Sequence, residues 1–441
     1  MHGFQRLKRH TVLAGAARAR LTNQRRCRSR IRIMETTAVF TSFNRRNFIS
    51  RTARGIFAAT LAPEIARFAV AAEPTGSPAL TPVSAAQSEP LPQDQRVGFA
   101  LVGLGRLSQK QLLPAFRASK RAKLTALVSG DPAKAQKLAE ANGVSSESIY
   151  DYKNFDRIRD NQDVQVVYVV LPNSMHAEFT ERSARVGKHV LCEKPMEVSA
   201  MKCQQMIDAC KKARVKLMIA YRIQYEPINH AMQRIVREKV FGSVKYIESD
   251  NGQRVEKMEW RLSKAFSGSG AVGDAGIYCI NTIRFLLGEE PMEVFARTFR
   301  PPGDPRFREI DATIIWQMRF PSGVLANCMC SFDTYDTKSY RAVAERGIFG
   351  MDPAFPCHGL KMFAKPEQPP LPQIAESDQF ANELDHMADC VISDRQPYTP
   401  GEEGLQDQRI IEAIFESART TRAITLPRFD KLDPFRGPPP E

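Results

Sequence analysis

At 441 residues the chain is long enough to bury two sizeable cores. With 43% hydrophobic and 25% charged residues it is neither disordered nor fibrous, and no run reaches the roughly 18–20 apolar residues of a membrane span. Of its +14 net charge nearly all sits in residues 1–54, where fourteen Lys/Arg face the single acid Glu35, so the basicity gives no argument for nucleic-acid binding.

Residues 1–72 are expected to be an export leader. Asn44-Arg45-Arg46-Asn47-Phe48-Ile49-Ser50 has the pattern of a twin-arginine signal. A moderately apolar stretch from Gly55 to Ala69 follows, and Ala69-Val70-Ala71 offers small residues to a signal peptidase. The alternative is a basic disordered tail. Either Met1 or Met34 fits as the initiator. The twin-arginine route carries folded proteins, so the expected destination is the periplasm, reached with a cofactor already loaded. Residues 73–95 hold Pro74, Pro78, Pro82, Pro90 and Pro92 and are read as an extended arm. Beyond the leader the cysteines are scattered without a paired CxxC metal pattern, and they are read as mainly buried thiols.

Residues 96–221 alternate strand and helix. Val97–Val102 is an apolar strand that runs into Gly103-Leu104-Gly105-Arg106-Leu107-Ser108, with a helix to about Ser119. Strand, glycine turn and helix form a dinucleotide site: the first glycine permits the tight turn, and the second lets backbone approach a pyrophosphate at the helix N-terminus. Ser108 stands where the third glycine is usual. The next strand, from Lys123 to Val128, ends at Ser129-Gly130-Asp131. A hydroxyl at Ser129 and an ammonium at Lys134 suit a 2′-phosphate and favour NADP. Asp131 either favours NAD or caps the helix beginning at Pro132. The strand over 164–171 ends at Pro172-Asn173-Ser174-Met175-His176. His176 is either satisfied by local backbone or a cofactor contact. The strand His189-Val190-Leu191-Cys192 ends in Glu193-Lys194-Pro195, which aims an ammonium at the crevice beyond the sheet. A helix over 199–213 and a strand over 216–220 complete about six parallel strands.

From Tyr221-Arg222 the pattern changes, and residues 222–425 form an α+β domain with a large, mostly antiparallel open sheet. A helix is expected over about 226–239, with strands over 242–250, 291–299, 309–320, 323–332 and 340–346. Gly268–Gly288 reads as a glycine-rich loop entering a helix, with Asp274 and Tyr278 on one helix face. Helices over about 377–393 and 403–420 close the fold, and the proline-rich tail, residues 426–441, is expected to be extended.

Taken together, these stretches resemble the glucose–fructose oxidoreductase branch of the Gfo/Idh/MocA family over nearly all of residues 95–425. The resemblance is carried by Leu171-Pro172-Asn173-Ser174, His176-Ala177-Glu178-Phe179, Cys192-Glu193-Lys194-Pro195-Met196 and Trp260-Arg261-Leu262. It continues through Gly276-Ile277-Tyr278, Leu286-Leu287-Gly288-Glu289-Glu290-Pro291, Ile315-Trp316-Gln317-Met318-Arg319-Phe320 and Gly401-Glu402-Glu403-Gly404. It implies a Rossmann domain followed by an open-sheet domain that packs subunits into a homodimer or homotetramer. It also implies a tightly held NADP, partly covered by a neighbour's N-terminal arm. By position, Lys194 matches the family's catalytic lysine, Asp274 its aspartate and Tyr278 its acid/base, where many relatives have histidine. Leu171, Pro172, Glu193, Arg222, Trp260, Arg261, Ser129, Lys134 and Tyr152 fall where that branch lines the cofactor and the sugar. After Asp352-Pro353-Ala354 the branch tends to carry aromatic residues, whereas this chain reads Phe355-Pro356-Cys357-His358.

The resemblance implies ping-pong chemistry. An aldose is oxidised at C1 to a lactone, and a second sugar takes the hydride back. The alternatives are a sugar dehydrogenase with exchangeable cofactor, an NAD-assisted glycosidase, or a non-catalytic sugar sensor. The sensor is disfavoured because Lys194, Asp274 and Tyr278 are all present.

Overall fold

A computed structural model of the protein describes residues 89–440. The leader and most of the proline-rich arm lie outside them. Residues 89–95 run along the first domain, where the Leu91 amide donates to Lys120 O and the Arg96 guanidinium donates to Leu91 O and Ser119 O.

The first domain opens with β1 (Val97–Val102), a π-turn over Ser108–Leu112 and α1 (Leu113–Ala118). It continues through β2 (Ala122–Val128), α2 (Pro132–Asn142), β3 (Ile149–Tyr150), β4 (Val166–Val169) and α3 (His176–Arg185). Strand β5 (His189–Glu193), α4 (Ala200–Ala213) and β6 (Leu217–Ala220) complete it. All six strands are parallel, in the order β3-β2-β1-β4-β5-β6. β1 and β4 are buried at every position because helices cover both faces, which explains their unbroken apolar runs.

The second domain begins with α5 (Pro227–Arg237) and β7 (Val244–Arg254), followed by α6 (Lys264–Ser267) and α7 (Ile277–Leu287). Strands β8 (Glu293–Phe299), β9 (Thr313–Arg319), β10 (Leu325–Ser331), β11 (Asp333–Ala344), β12 (Ile348–Met351) and β13 (Met362–Lys365) come next. Helices α8 (Gln379–Ile392) and α9 (Gly401–Thr420) and the short β14 (Ile424–Thr425) finish it. The eight strands lie in the order β13-β12-β11-β7-β10-β9-β8-β14, antiparallel except for the β7–β10 pair. Along β9 buried residues alternate with exposed ones. α7 and α9 pack on the inner face, while the outer face presents Phe299, Ile315 and Leu325.

Some features depart from the sequence expectations or add to them. β11 is longer than residues 340–346, because it pairs with β7 along most of its length. The last two long helices return to the first domain. Asp385 on α8 accepts hydrogen bonds from the Ser119 hydroxyl and from the amides of Lys120 and Arg121, while Thr399 O accepts the Ile219 amide. The extended tail is pinned to the fold, with the Arg436 side chain buried against Glu403 and the Gly437 amide donating to Tyr398 O. Among the described residues all eight cysteines are free, and seven are buried.

Candidate active site

Gly103 begins the nucleotide turn at the end of β1. It has φ +92°, and a Cβ there would lie 2.2 Å from Val170 O, so no side chain fits. A Cβ at Gly105 would meet nothing within 4 Å, and that residue is exposed. The backbone at the helix start is therefore open to a ligand on one side, as a pyrophosphate cradle requires. Ser108 ties the turn down, its hydroxyl donating to Gly103 O. Leu104 is buried, Leu107 half-buried and Arg106 exposed, so of these three Arg106 is free to reach a phosphate.

At the end of β2 the Ser129 hydroxyl accepts the Asp131 amide. Asp131 accepts the Lys134 amide at 3.0 Å and so caps α2, the second of the two roles open to it in the sequence. The Lys134 ammonium stands 3.5 Å from the same carboxylate and is partly exposed. The ring of Tyr152 packs edge-on against Phe179 and borders Gly130. Ser129, Lys134 and Tyr152 thus line one end of the sheet, where they fit the adenosine half of a dinucleotide.

His176 is a correction to its candidacy as a cofactor contact. The ring is fully buried, with Nε2 2.9 Å from Leu171 O and Nδ1 3.0 Å from Pro195 O. Burial pushes it below the usual imidazole range. It braces the Leu171-Pro172 turn against the Lys194-Pro195 turn and does not face the crevice. Asn173 reaches the second domain instead, donating to Ser267 O at 2.9 Å.

The three proposed catalytic side chains meet at the end of β5. Lys194 Nζ donates to the Asp274 backbone carbonyl at 2.8 Å, lies 3.7 Å from the Asp274 carboxylate and stands 4.6 Å from the Tyr278 ring centroid. Asp274 lies in a π-turn over Val272–Gly276, and that turn feeds straight into α7. Asp274 and Tyr278 are both half-buried among buried neighbours, so they form one accessible stripe. Arg261 fixes Asp274 from the far side at 3.0 Å and lies over the Trp260 ring. Burial pushes the Asp274 carboxyl up, but Arg261 and Lys194 outweigh it and hold it below the usual carboxylate range.

Arg222 is buried, and its guanidinium lies 5.0 Å from the Tyr278 ring centroid. It donates to Phe355 O and to Gln379 on α8. A small cavity lined by Lys194, Arg222, Ile277, Tyr278 and Asn281 lies among these groups. Glu193, one residue before Lys194, does not open into the crevice. Its carboxylate accepts the Tyr168 hydroxyl at 2.8 Å, and burial pushes it up.

Four residues here were missed by the sequence reading. Phe355 packs its ring 5.7 Å from that of Tyr278, and Gln379 anchors Arg222. Tyr168 and Glu383 lie behind Glu193. The Phe-Pro dipeptide at 355–356 was the one available signal, since its carbonyls are the acceptors for Arg222.

Comparison with known proteins gives a consistent result. Residues 97–221 match the pattern of an oxidoreductase family with an NAD-binding Rossmann fold, and residues 233–426 match the C-terminal alpha/beta domain of the same family. The chain is 30% identical over 341 residues to an NADP-dependent D-xylose 1-dehydrogenase of Haloarcula marismortui, covering 76% of this chain and 94% of that one. It is 41% identical to the aldose–aldose oxidoreductase of Caulobacter crescentus, crystallised with glycerol, with a TM-score of 0.73 over 75% of this chain and 100% of that one. A 3-ketoreductase from Actinomadura kijaniata, crystallised with NADP, shares the fold at 21% identity and a TM-score of 0.64, over 73% and 98% of the two chains.

Proposed function

Because the chain belongs to the Gfo/Idh/MocA oxidoreductase family, matched by both of its domains, we propose that it is an exported sugar oxidoreductase that retains NADP and passes hydride from one sugar to another. The observation that carries this reading is the meeting of Lys194, Asp274 and Tyr278 beyond β5, where an open parallel sheet binds its ligands. The similarity to an aldose–aldose oxidoreductase supports two sugars as the substrates.

A bound NADP would supply the hydride acceptor; the turn of Gly103, Leu104, Gly105, Arg106 and Leu107 would hold its pyrophosphate, and Ser129, Lys134 and Tyr152 its adenosine end. Tyr278 takes the proton of the C1 hydroxyl of an aldose and returns a proton to the carbonyl of the second sugar. The Lys194 and Arg222 cations stand over its ring, 4.6 and 5.0 Å from the centroid. Asp274, fixed by Arg261, keeps Lys194 aimed at the sugar. Asn173 ties the turn after β4, with Leu171 and Pro172, to the second domain, and Trp260 carries Arg261 over its ring. Location in the periplasm, delivery by the twin-arginine signal and a homodimer or homotetramer built on the outer face of the second sheet belong to this proposal. The apolar residues exposed on that face support the last of these.

Two experiments test it. Denaturing the purified protein should release about one NADP(H) per chain, as expected for a captive cofactor. Mixing glucose with a second sugar, with no cofactor added, should yield aldonic acid and polyol together. An empty protein that turns over only with added NADP overturns the two-sugar cycle and leaves an exchangeable dehydrogenase, the reading favoured by the likeness to the xylose enzyme.

A further inference from the structure

Behind Lys194 lies a group of side chains that this mechanism does not use. The Tyr168 hydroxyl on β4 stands 2.8 Å from Glu193 Oε1 and 3.3 Å from Glu383 Oε2 on α8. Tyr168 and Glu383 are fully buried, and Glu193 is 8% exposed. A hydroxyl carries one hydrogen and satisfies one carboxylate at a time. The other carboxylate then faces an oxygen lone pair. Glu383 Oε1 has no hydrogen-bond partner among the described residues.

The nearby cations are turned elsewhere. Lys194 donates to Asp274 O, and Arg222 donates to Phe355 O and Gln379. Lys194 acts on Glu193, and Arg222 on both carboxyls, through space, while the nearby Tyr225 hydroxyl is bound to Thr399. Burial pushes both carboxyls up, Glu383 well above the usual range, with the Glu193 charge adding to it. Two buried carboxyls with one hydrogen between them are relieved by taking up a second hydrogen.

We propose that Glu193 and Glu383 share one proton beside the Tyr168 hydroxyl, and that the pair gives it up when positive charge arrives beyond β5 and takes one back when that charge is cancelled. The second half rests on the function proposed above. The oxidised nicotinamide is a cation and the reduced one is neutral, so occupancy of the pair follows the redox state of the cofactor. Oxidising a sugar hydroxyl yields one hydride and one proton. The hydride goes to the nucleotide and the proton to Tyr278, while the pair exchanges its own proton with solvent as the charge on the ring changes. Neither Glu383 nor Tyr168 touches the sugar; both are positioning residues that act through the charge beside Lys194.

The test uses infrared spectra of the full-length holoenzyme, with its bound nucleotide first oxidised and then reduced by an aldose. The reduced form should show the carbonyl stretch of a protonated carboxyl and the oxidised form should lose it, as the opposing charge requires. Glu383→Gln should remove the difference with nucleotide retention unchanged, and Tyr168→Phe should shift the band. Equal bands in the two redox states overturn the coupling, and absence of the band in both overturns the shared proton. If the purified protein carries no nucleotide, the functional reading fails, and the band alone decides whether the proton is shared.

Discussion

Helix α7 carries ionic groups at both ends, and the two ends differ in how those groups are matched. At its start Lys194 and Arg222 stand over the Tyr278 ring, and Asp274 is held between Lys194 and Arg261, in an arrangement that leaves room for a ligand. Six residues on, Arg284 is fully buried and donates to Glu290 at 2.7 Å, Glu403 at 2.9 Å and Asp407 at 2.5 Å. Arg436 from the tail completes this cluster at 2.7 Å from Glu403, and Asn281 donates to Glu403 and Asp407. A saturated cluster anchors the helix, whereas an unsaturated one is available for chemistry. The same residue types do both, and the number of partners decides which.

The largest effect should fall on the open end. Tyr278→Phe should lower turnover by about 10²–10⁴-fold with nucleotide retention unchanged, measured by single-turnover absorbance of the bound nicotinamide. Unchanged turnover would remove Tyr278 from the acid/base role. At the closed end the loss should be of stability. Arg284→Leu takes away the cation shared by three buried acids and should cost about 3–5 kcal/mol, read from urea unfolding. If the cost were under about 1 kcal/mol, the cluster would not be the anchor described here.

The closed end should also show itself in pH. Burial, with the Glu403 charge adding to it, pushes Asp407 up to about 6, against 3.8 for a free aspartate. A carboxyl raised in the folded state loses stability as pH rises between those two values. The wild type should therefore weaken relative to Asp407→Asn from about pH 4 to 6, by up to roughly 3 kcal/mol, and stay level above. Urea unfolding of both proteins across that range measures it. Arg261→Lys should have the smallest effect, since its pair with Asp274 is half-exposed. It should cost under about 1 kcal/mol in melting and raise the sugar KM several-fold, because Asp274 loses its fixed partner.

The alternating half of the fold was legible because β1, β4 and β5 are buried on both faces and read as continuous apolar runs. Lys194 was legible from its place at the end of such a run, and Tyr278 from its spacing to Asp274. The π-turn at Val272–Gly276 was not, since a widened turn leaves no mark in apolar periodicity. His176 was left open because sequence alone does not say which way a first-turn ring rotates. Here two backbone carbonyls take it inward. Tyr168 and Glu383 looked like members of separate elements. Their meeting spans 215 residues and depends on α8 crossing back to the first sheet. The anchor of the tail was hidden for a similar reason: the partner of Arg436 lies on α9.

That return of α8 and α9 bears on how the protein is made. The amides around Ser119 find their carboxylate only at Asp385, and the edge of the first sheet finds Thr399 beside Ile219. The amino-terminal domain therefore leaves the ribosome unfinished and waits for residues synthesised some 180 to 270 positions later. Translation has to be nearly complete before a nucleotide meets a fully walled crevice, so cofactor loading belongs to the finished polypeptide and not to the nascent one.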